Sequence, residues 1–87
     1  MKVLEPGNIL SEEFSLLLRS YTAIKDRVDI SEDTGLGLST LRDVTFRRIT
    51  ITERSLPAVK KLLVRAAKNA DAAAEKANKA KEDLKLI

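Results

Sequence analysis

Side chains able to do covalent or acid–base chemistry are scarce in this chain: its 87 residues include no histidine and no cysteine. The usual general base, soft metal ligand and strong nucleophile are therefore missing together. Carboxylate pairs occur at Glu12-Glu13 and Glu32-Asp33. Neighbours on a helix diverge by about 100°, so such pairs do not converge on one substrate atom. The expectation is a protein that is not an enzyme and needs no cofactor. What remains for chemistry is cationic. Residues 36–70 carry eight basic and two acidic side chains, a balance of +6, whereas residues 1–35 balance to −3 and residues 71–87 to zero. A basic middle section beside an acidic first third points to a local contact with a polyanion.

The elements that would position those cations are helical. Ser11 caps a first helix, with Glu12 and Glu13 where negative charge suits a helix N-terminus. Leu10, Phe14, Leu17, Leu18, Tyr21, Ile24 and Val28 fall on one face of it. A shorter second helix starts near Asp29, turns Ile30 inward and closes at Thr34-Gly35, where glycine can adopt the left-handed conformation. A third helix is expected from about Leu38 to Arg48, with Leu41, Val44 and Phe46 inward. The β-branched run Ile49-Thr50-Ile51-Thr52 reads as an extended connector. Ser55 then caps a last helix, Pro57 lies in its first turn, and nothing beyond Pro57 stops it before Ile87.

The fold class is thus all-α: four helices in a compact helix-turn-helix arrangement, with a long Ala-rich C-terminal helix. Residues 1–10 form a lead-in in which Pro6-Gly7-Asn8 makes a turn, 11–66 the domain, and 67–87 an extension. No apolar run approaches the roughly 20 residues needed to span a bilayer, and no secretion signal opens the chain, so the expectation is a cytoplasmic protein with no membrane partner.

The segment from Asp29 to Val44 sets six requirements and meets them in register. A small residue must stand where two steeply packed helices cross, and Ser31 is there. Four positions later the turn needs tolerance of positive φ, which Gly35 supplies. Leu36 plugs the turn, Leu41 and Val44 face back, and Ile30 completes the inner surface. This pattern resembles the helix-turn-helix of lambda-repressor-like domains, most closely the lac-repressor family. The family's Asp-Ile/Val-Ala start, Gly-Val/Leu-Ser turn and Thr-Val pair have counterparts in Asp29-Ile30-Ser31, Gly35-Leu36-Gly37 and Thr40-Leu41. The stretch from Thr52-Glu53-Arg54 to Val59 and Leu62 looks like the family's following helix. Two positions depart from it. Gly37 stands where the family has a capping serine, and Ser31 replaces alanine, adding a hydroxyl expected to bond a carbonyl one turn back.

The resemblance implies sequence-specific binding of double-stranded DNA by a small transcriptional regulator, such as a repressor, of bacterial or phage type. The third helix would enter the major groove. Leu38, Ser39, Arg42 and Asp43 match the positions that commonly meet base edges, with Arg42 suited to guanine. Thr40 is a phosphate or base contact, and Arg47, Arg48 and Arg54 grip the backbone. Asp43 could instead pair with Arg47, one turn later. The acidic trio Asp29, Glu32 and Asp33 weighs against DNA, since it stands near where a phosphate backbone would pass.

A second surface is readable in the tail. Leu56, Val59, Leu63, Ala66, Ala70, Ala73, Ala77, Ala80, Leu84 and Ile87 alternate steps of three and four, the period of a coiled coil. From Leu63 to Ile87 this seam is a candidate contact for a second copy, making a dimer, or for a partner helix. In a parallel homodimer Lys76 would approach Lys81 of the other chain, which disfavours that arrangement. The alternative function is an assembly or adaptor protein that uses the helix-turn-helix as scaffold and docks a partner through the Ala-rich helix. Neither reading involves a small-molecule substrate or a metal.

Overall fold

The computed structural model describes residues 4–85. It is all-helical: α1 is Glu12–Tyr21, α2 Ile24–Thr34, α3 Leu38–Thr45 and α4 Leu56–Lys85. Ser11 caps α1, its Oγ accepting from the Phe14 N–H at 3.2 Å. α4 is the common wall, packing against each of the other three helices. Its buried face is Ala58, Val59, Leu62 and Ala66, and against it lie Leu10, Leu18, Ile30, Leu36, Leu41, Val44 and Ile51. No helix among the described residues is long and apolar enough to cross a membrane.

The lead-in is part of the fold. Pro6 and Gly7 sit at the centre of a turn closed by the Asn8 N–H on the Glu5 carbonyl, and Gly7 supplies the positive φ of 93° that the corner needs. Gly7 then donates to the Ile51 carbonyl at 2.7 Å, and Ile51 donates to the Asn8 carbonyl at 2.8 Å. This exchange fixes the extended connector against the N-terminal segment and buries Ile51 and Leu10.

Three expectations change. The first helix does not run through Val28. It ends at Tyr21 because Thr22 and Ala23 are extended, and a separate α2 starts at Ile24, five residues before Asp29. Thr22 bonds the Leu18 carbonyl through both its N–H and its hydroxyl, while the Asp26 carboxylate accepts the Ala23 N–H at 2.9 Å. Each side of the break thus satisfies its own helix end. The interruption changes the phase of the apolar face, so Ile24 leaves the core and stands 67% exposed.

The second change is at the end of α3, which stops at Thr45. Arg47 has φ 62°, the Arg47 N–H bonds the Val44 carbonyl, and the Arg48 N–H bonds the Asp43 carbonyl at 2.8 Å. This is a Schellman closure with arginine at the left-handed position usually held by glycine. Phe46, expected inward, is carried to the surface by this closure. The third concerns Ser55, which stands immediately before α4 as expected, with its carbonyl accepting the Val59 N–H at 3.0 Å, but whose hydroxyl turns away from the helix end. Its Oγ accepts the Thr52 N–H at 2.9 Å, while the Thr52 Oγ1 accepts the Ser55 N–H at 3.1 Å and the Thr52 carbonyl the Leu56 N–H.

Arg47 occupies a strained backbone position because its side chain is needed there. Its Nε donates to the Leu10 carbonyl at 2.8 Å and an Nη to Glu12 at 3.2 Å, joining the end of α3 to the start of α1. Both Arg47→Ala and Arg47→Gly lose those bonds, but only alanine keeps the left-handed penalty. Arg47→Gly should therefore be the more stable variant by about 1 kcal/mol in urea denaturation, with both below wild type. An alanine variant as stable as the glycine variant would contradict the strain.

Candidate nucleic-acid interface

α3 is held by a three-residue turn at one end and by buried polar contacts at the other. At the turn, Gly35 has φ 75° and ψ 3°, and its N–H bonds the Ser31 carbonyl at 2.9 Å. The Ser31 hydroxyl donates forward across the turn to the Leu36 carbonyl at 2.6 Å, where a bond one turn back was expected. Leu36 is buried, as are Ile30, Leu41 and Val44, so the inner face of the α2–α3 pair matches the register read from sequence. At the far end the buried Ser15 hydroxyl donates to the Thr45 carbonyl at 2.6 Å, and the buried Thr45 hydroxyl to the Leu41 carbonyl at 2.9 Å. Sequence reasoning passed over Ser15 and Thr45, whose only sequence trace is a small polar residue on each helix's inner face.

With that face committed, the opposite face of α3 looks outward. Leu38, Ser39 and Arg42 are exposed, with the Arg42 side chain 54% open to solvent. Thr40 is half-buried, its hydroxyl lying over Gly37. Asp43, also half-buried, forms ion pairs without hydrogen bonds to the arginines on either side, Arg48 at 3.7 Å and Arg42 at 4.0 Å. The expected Asp43–Arg47 pair does not form, because the left-handed turn at Arg47 directs that side chain back toward Leu10 and Glu12. Arg48 also stacks over the Phe46 ring at 5.9 Å. Arg54 is exposed on the turn leading into α4. Leu38, Ser39, Arg42, Asp43 and Arg48 therefore share a neighbourhood, whereas Arg47 spends two of its donor groups on intramolecular bonds to Leu10 and Glu12. Arg27 and Ile24 of α2 border the same surface and line a groove with Leu38, Ser39 and Arg42. Their signal was the spacing of three on α2, hidden by reading α1 as continuous.

The acidic side of α2 is turned to α4. Arg65 pairs with Asp26 at 3.0 Å and with Asp29 at 3.5 Å, and Lys61 pairs with Asp33. Two of the three acids that weighed against a polyanion, Asp29 and Asp33, are thus neutralised within the molecule, although all three remain exposed. The Ala23 N–H, seconded by the Arg65 guanidinium, holds the Asp26 carboxyl below its ordinary value against partial desolvation. Asp33 is lowered by Lys61, and Arg65 is raised chiefly by Asp26.

The tail seam divides. Ala66 is buried and Leu63, partly buried, packs against the core, so both serve this chain's own interior. Ala70 is half-buried, while Ala73, Ala77, Ala80 and Leu84 are exposed and Ile87 lies outside the described residues. No family model, curated protein or solved structure matches the chain.

Two measurements follow from this geometry. Gly37 has φ −59°, and a β-carbon there would meet only the Thr40 Oγ1, at 3.7 Å. Gly37→Ser should therefore add the missing capping acceptor and raise stability by about 0.5 kcal/mol, whereas Gly35→Ala should lower it by about 1 kcal/mol through positive φ alone. Thermal melts that rank the two the other way would refute the turn geometry. The second concerns pH. Asp26 has a lower pKa folded than unfolded, so its stabilisation is full above about pH 5 and fades as pH falls through the folded value, below 3.8. The stability gap between wild type and Asp26→Asn should be widest near neutrality and close as pH falls through the lowered folded value. A gap independent of pH would exclude the charged form as the stabilising one.

Proposed function

We propose that the chain binds double-stranded DNA through the outer face of α3, as a small transcriptional regulator. The observation that carries this reading is the separation of the two faces of α3. Leu41 and Val44 are buried behind the Gly35 turn while Leu38, Ser39 and Arg42 face solvent, with Arg48 joined to them through Asp43. A short helix held rigidly by its inner face can offer a fixed row of side chains to a major groove about 12 Å wide. In this reading Arg42 meets a guanine edge, Leu38 a thymine methyl and Ser39 a base or phosphate. Asp43 pairs with Arg48 and sits beside Arg42 at a base edge, while Arg48 and Arg54 contact phosphates.

One observation favours a second surface for a protein partner. Residues 71–85 of α4 are exposed on every side, so this part of the helix is free to pair with a second copy or a partner helix, as an adaptor would require. Deleting residues 70–87 would abolish such an interaction and leave duplex binding by a monomer intact.

Fluorescence anisotropy with mixed-sequence and selected duplexes at two salt concentrations tests the DNA reading. Arg54→Ala should weaken all duplexes alike and reduce the salt slope by about one. Arg42→Ala should cost about 1–3 kcal/mol on the preferred site and relax the preference at one base pair. Absence of binding at low salt would end this reading.

A further inference from the structure

The groove between the first turn of α2 and α3 has a composition that DNA contact alone does not explain. Ile24 and Leu38 leave 67% and 40% of their surfaces in water. They stand in one groove of about 400 Å³ with Arg27, Arg42 and Ser39. Exposing two large aliphatic side chains together is unfavourable, since about 25 cal/mol is lost for each Å² of apolar surface left wet. No carboxylate lines the groove. The acid nearest Arg42, Asp43, lies at the 4.0 Å limit of an ion pair, and Arg27 has no ion pair among the described residues. The surface therefore offers an apolar floor, two guanidinium groups and one hydroxyl. Its volume is near the lower end of small-molecule sites, about 300–1,000 Å³. Five lining residues fall far short of the roughly 20–30 a side of a stable protein interface.

We propose that this groove binds a small amphiphilic anion, a carboxylic acid with an apolar tail, and that its occupancy regulates access of α3 to DNA. The tail lies over Ile24 and Leu38, and the carboxylate pairs with Arg27 and Arg42, where a planar guanidinium matches a carboxylate in bidentate geometry. The Ser39 hydroxyl donates to the carboxylate. Arg42 cannot engage the carboxylate and a guanine together, so ligand and duplex compete. The regulatory half of this inference rests on the DNA reading; the binding half does not.

The test is a ¹H–¹⁵N correlation titration of the full chain with octanoate, octylamine and octanol below their aggregation limits. Sodium acetate at matched ionic strength is the control. Octanoate should give saturable shifts centred on residues 24, 27, 38, 39 and 42. Octylamine, of equal length and opposite charge, should bind at least about tenfold more weakly, and octanol should fall between. Ile24→Ser and Arg27→Gln alter exposed or half-exposed side chains and should retain the wild-type circular dichroism while losing the octanoate shifts. In a parallel anisotropy experiment octanoate should release duplex from wild type, and Ile24→Ser should resist that release. Shifts that do not saturate, that scatter over the fold, or that octylamine reproduces would overturn the pocket even if duplex binds normally. Saturable octanoate binding without duplex binding at low salt would instead uphold the pocket and remove both the DNA reading and the regulation built on it.

Discussion

The orientation of α3 rests on one backbone constraint, the left-handed Gly35 with the Ser31 hydroxyl bonded across it to the Leu36 carbonyl. α3 has only eight residues, well below the ~12–15 at which an isolated helix becomes even marginal in water. Its existence is therefore a tertiary fact. Leu36, Leu41 and Val44 bury it from one side, while Ser15 and Arg47 tie its C-terminal end to α1 and the N-terminal segment. A helix fixed at both ends has little freedom to tilt, and this makes the direction of Leu38, Ser39 and Arg42 a property of the fold. The arginine at φ 62° is the complement of the glycine at φ 75°. One opens the turn into α3, and the other closes the turn out of it.

Charge is redistributed by folding in a way that a linear count misses. The basic section of the chain appears uniform in sequence, yet Lys61 and Arg65 face α2 and are occupied by Asp33, Asp26 and Asp29. The acids on α2 and the cations on α4 share the helical spacing of three and four, so they meet as rows when the helices pack. The Lys61–Asp33 pair is exposed and individually weak, whereas Arg65–Asp26 is partly buried. Their consequence is directional, because they engage the acids of α2 on the side of α4 and leave Arg27, Arg42 and Arg48 as the cations beside α3.

α4 serves two regimes along one seam. Up to Ala66 its small and branched residues are core, and zero exposure at Ala58 and Ala66 shows how closely the other elements approach. Beyond Ala70 the same period continues with no neighbour among the described residues. Alanine is the strongest helix former, so this stretch holds its helix by propensity and by continuity with a packed first half. A repeat of threes and fours therefore cannot tell an intramolecular wall from an intermolecular one. Ala66 and Ala80 are equivalent in register and opposite in environment.

The parts of the fold that were legible share a local cause. Gly35, Leu36 and the Ile30–Leu41–Val44 face follow from backbone permission and apolar spacing, both confined to a few neighbouring residues. The rest depended on competition between comparable local options. Thr22 can continue a helix or bond its own carbonyl four residues back, and only the Asp26 cap on Ala23 decides for the break. Thr52 and Ser55 are both good caps, and each spends its hydroxyl on the other's N–H before α4 begins. Arg47 gave no warning, since arginine at positive φ is stabilised only by distant partners at Leu10 and Glu12. The break at Thr22-Ala23 matters most for the exposed surface. A continuous first helix would have turned Ile24 into the core and left α3 without its α2 neighbour. Interrupted there, the chain sets Ile24 and Arg27 beside Leu38 and Arg42, so a local event hard to read in the sequence creates a groove that joins apolar and cationic side chains.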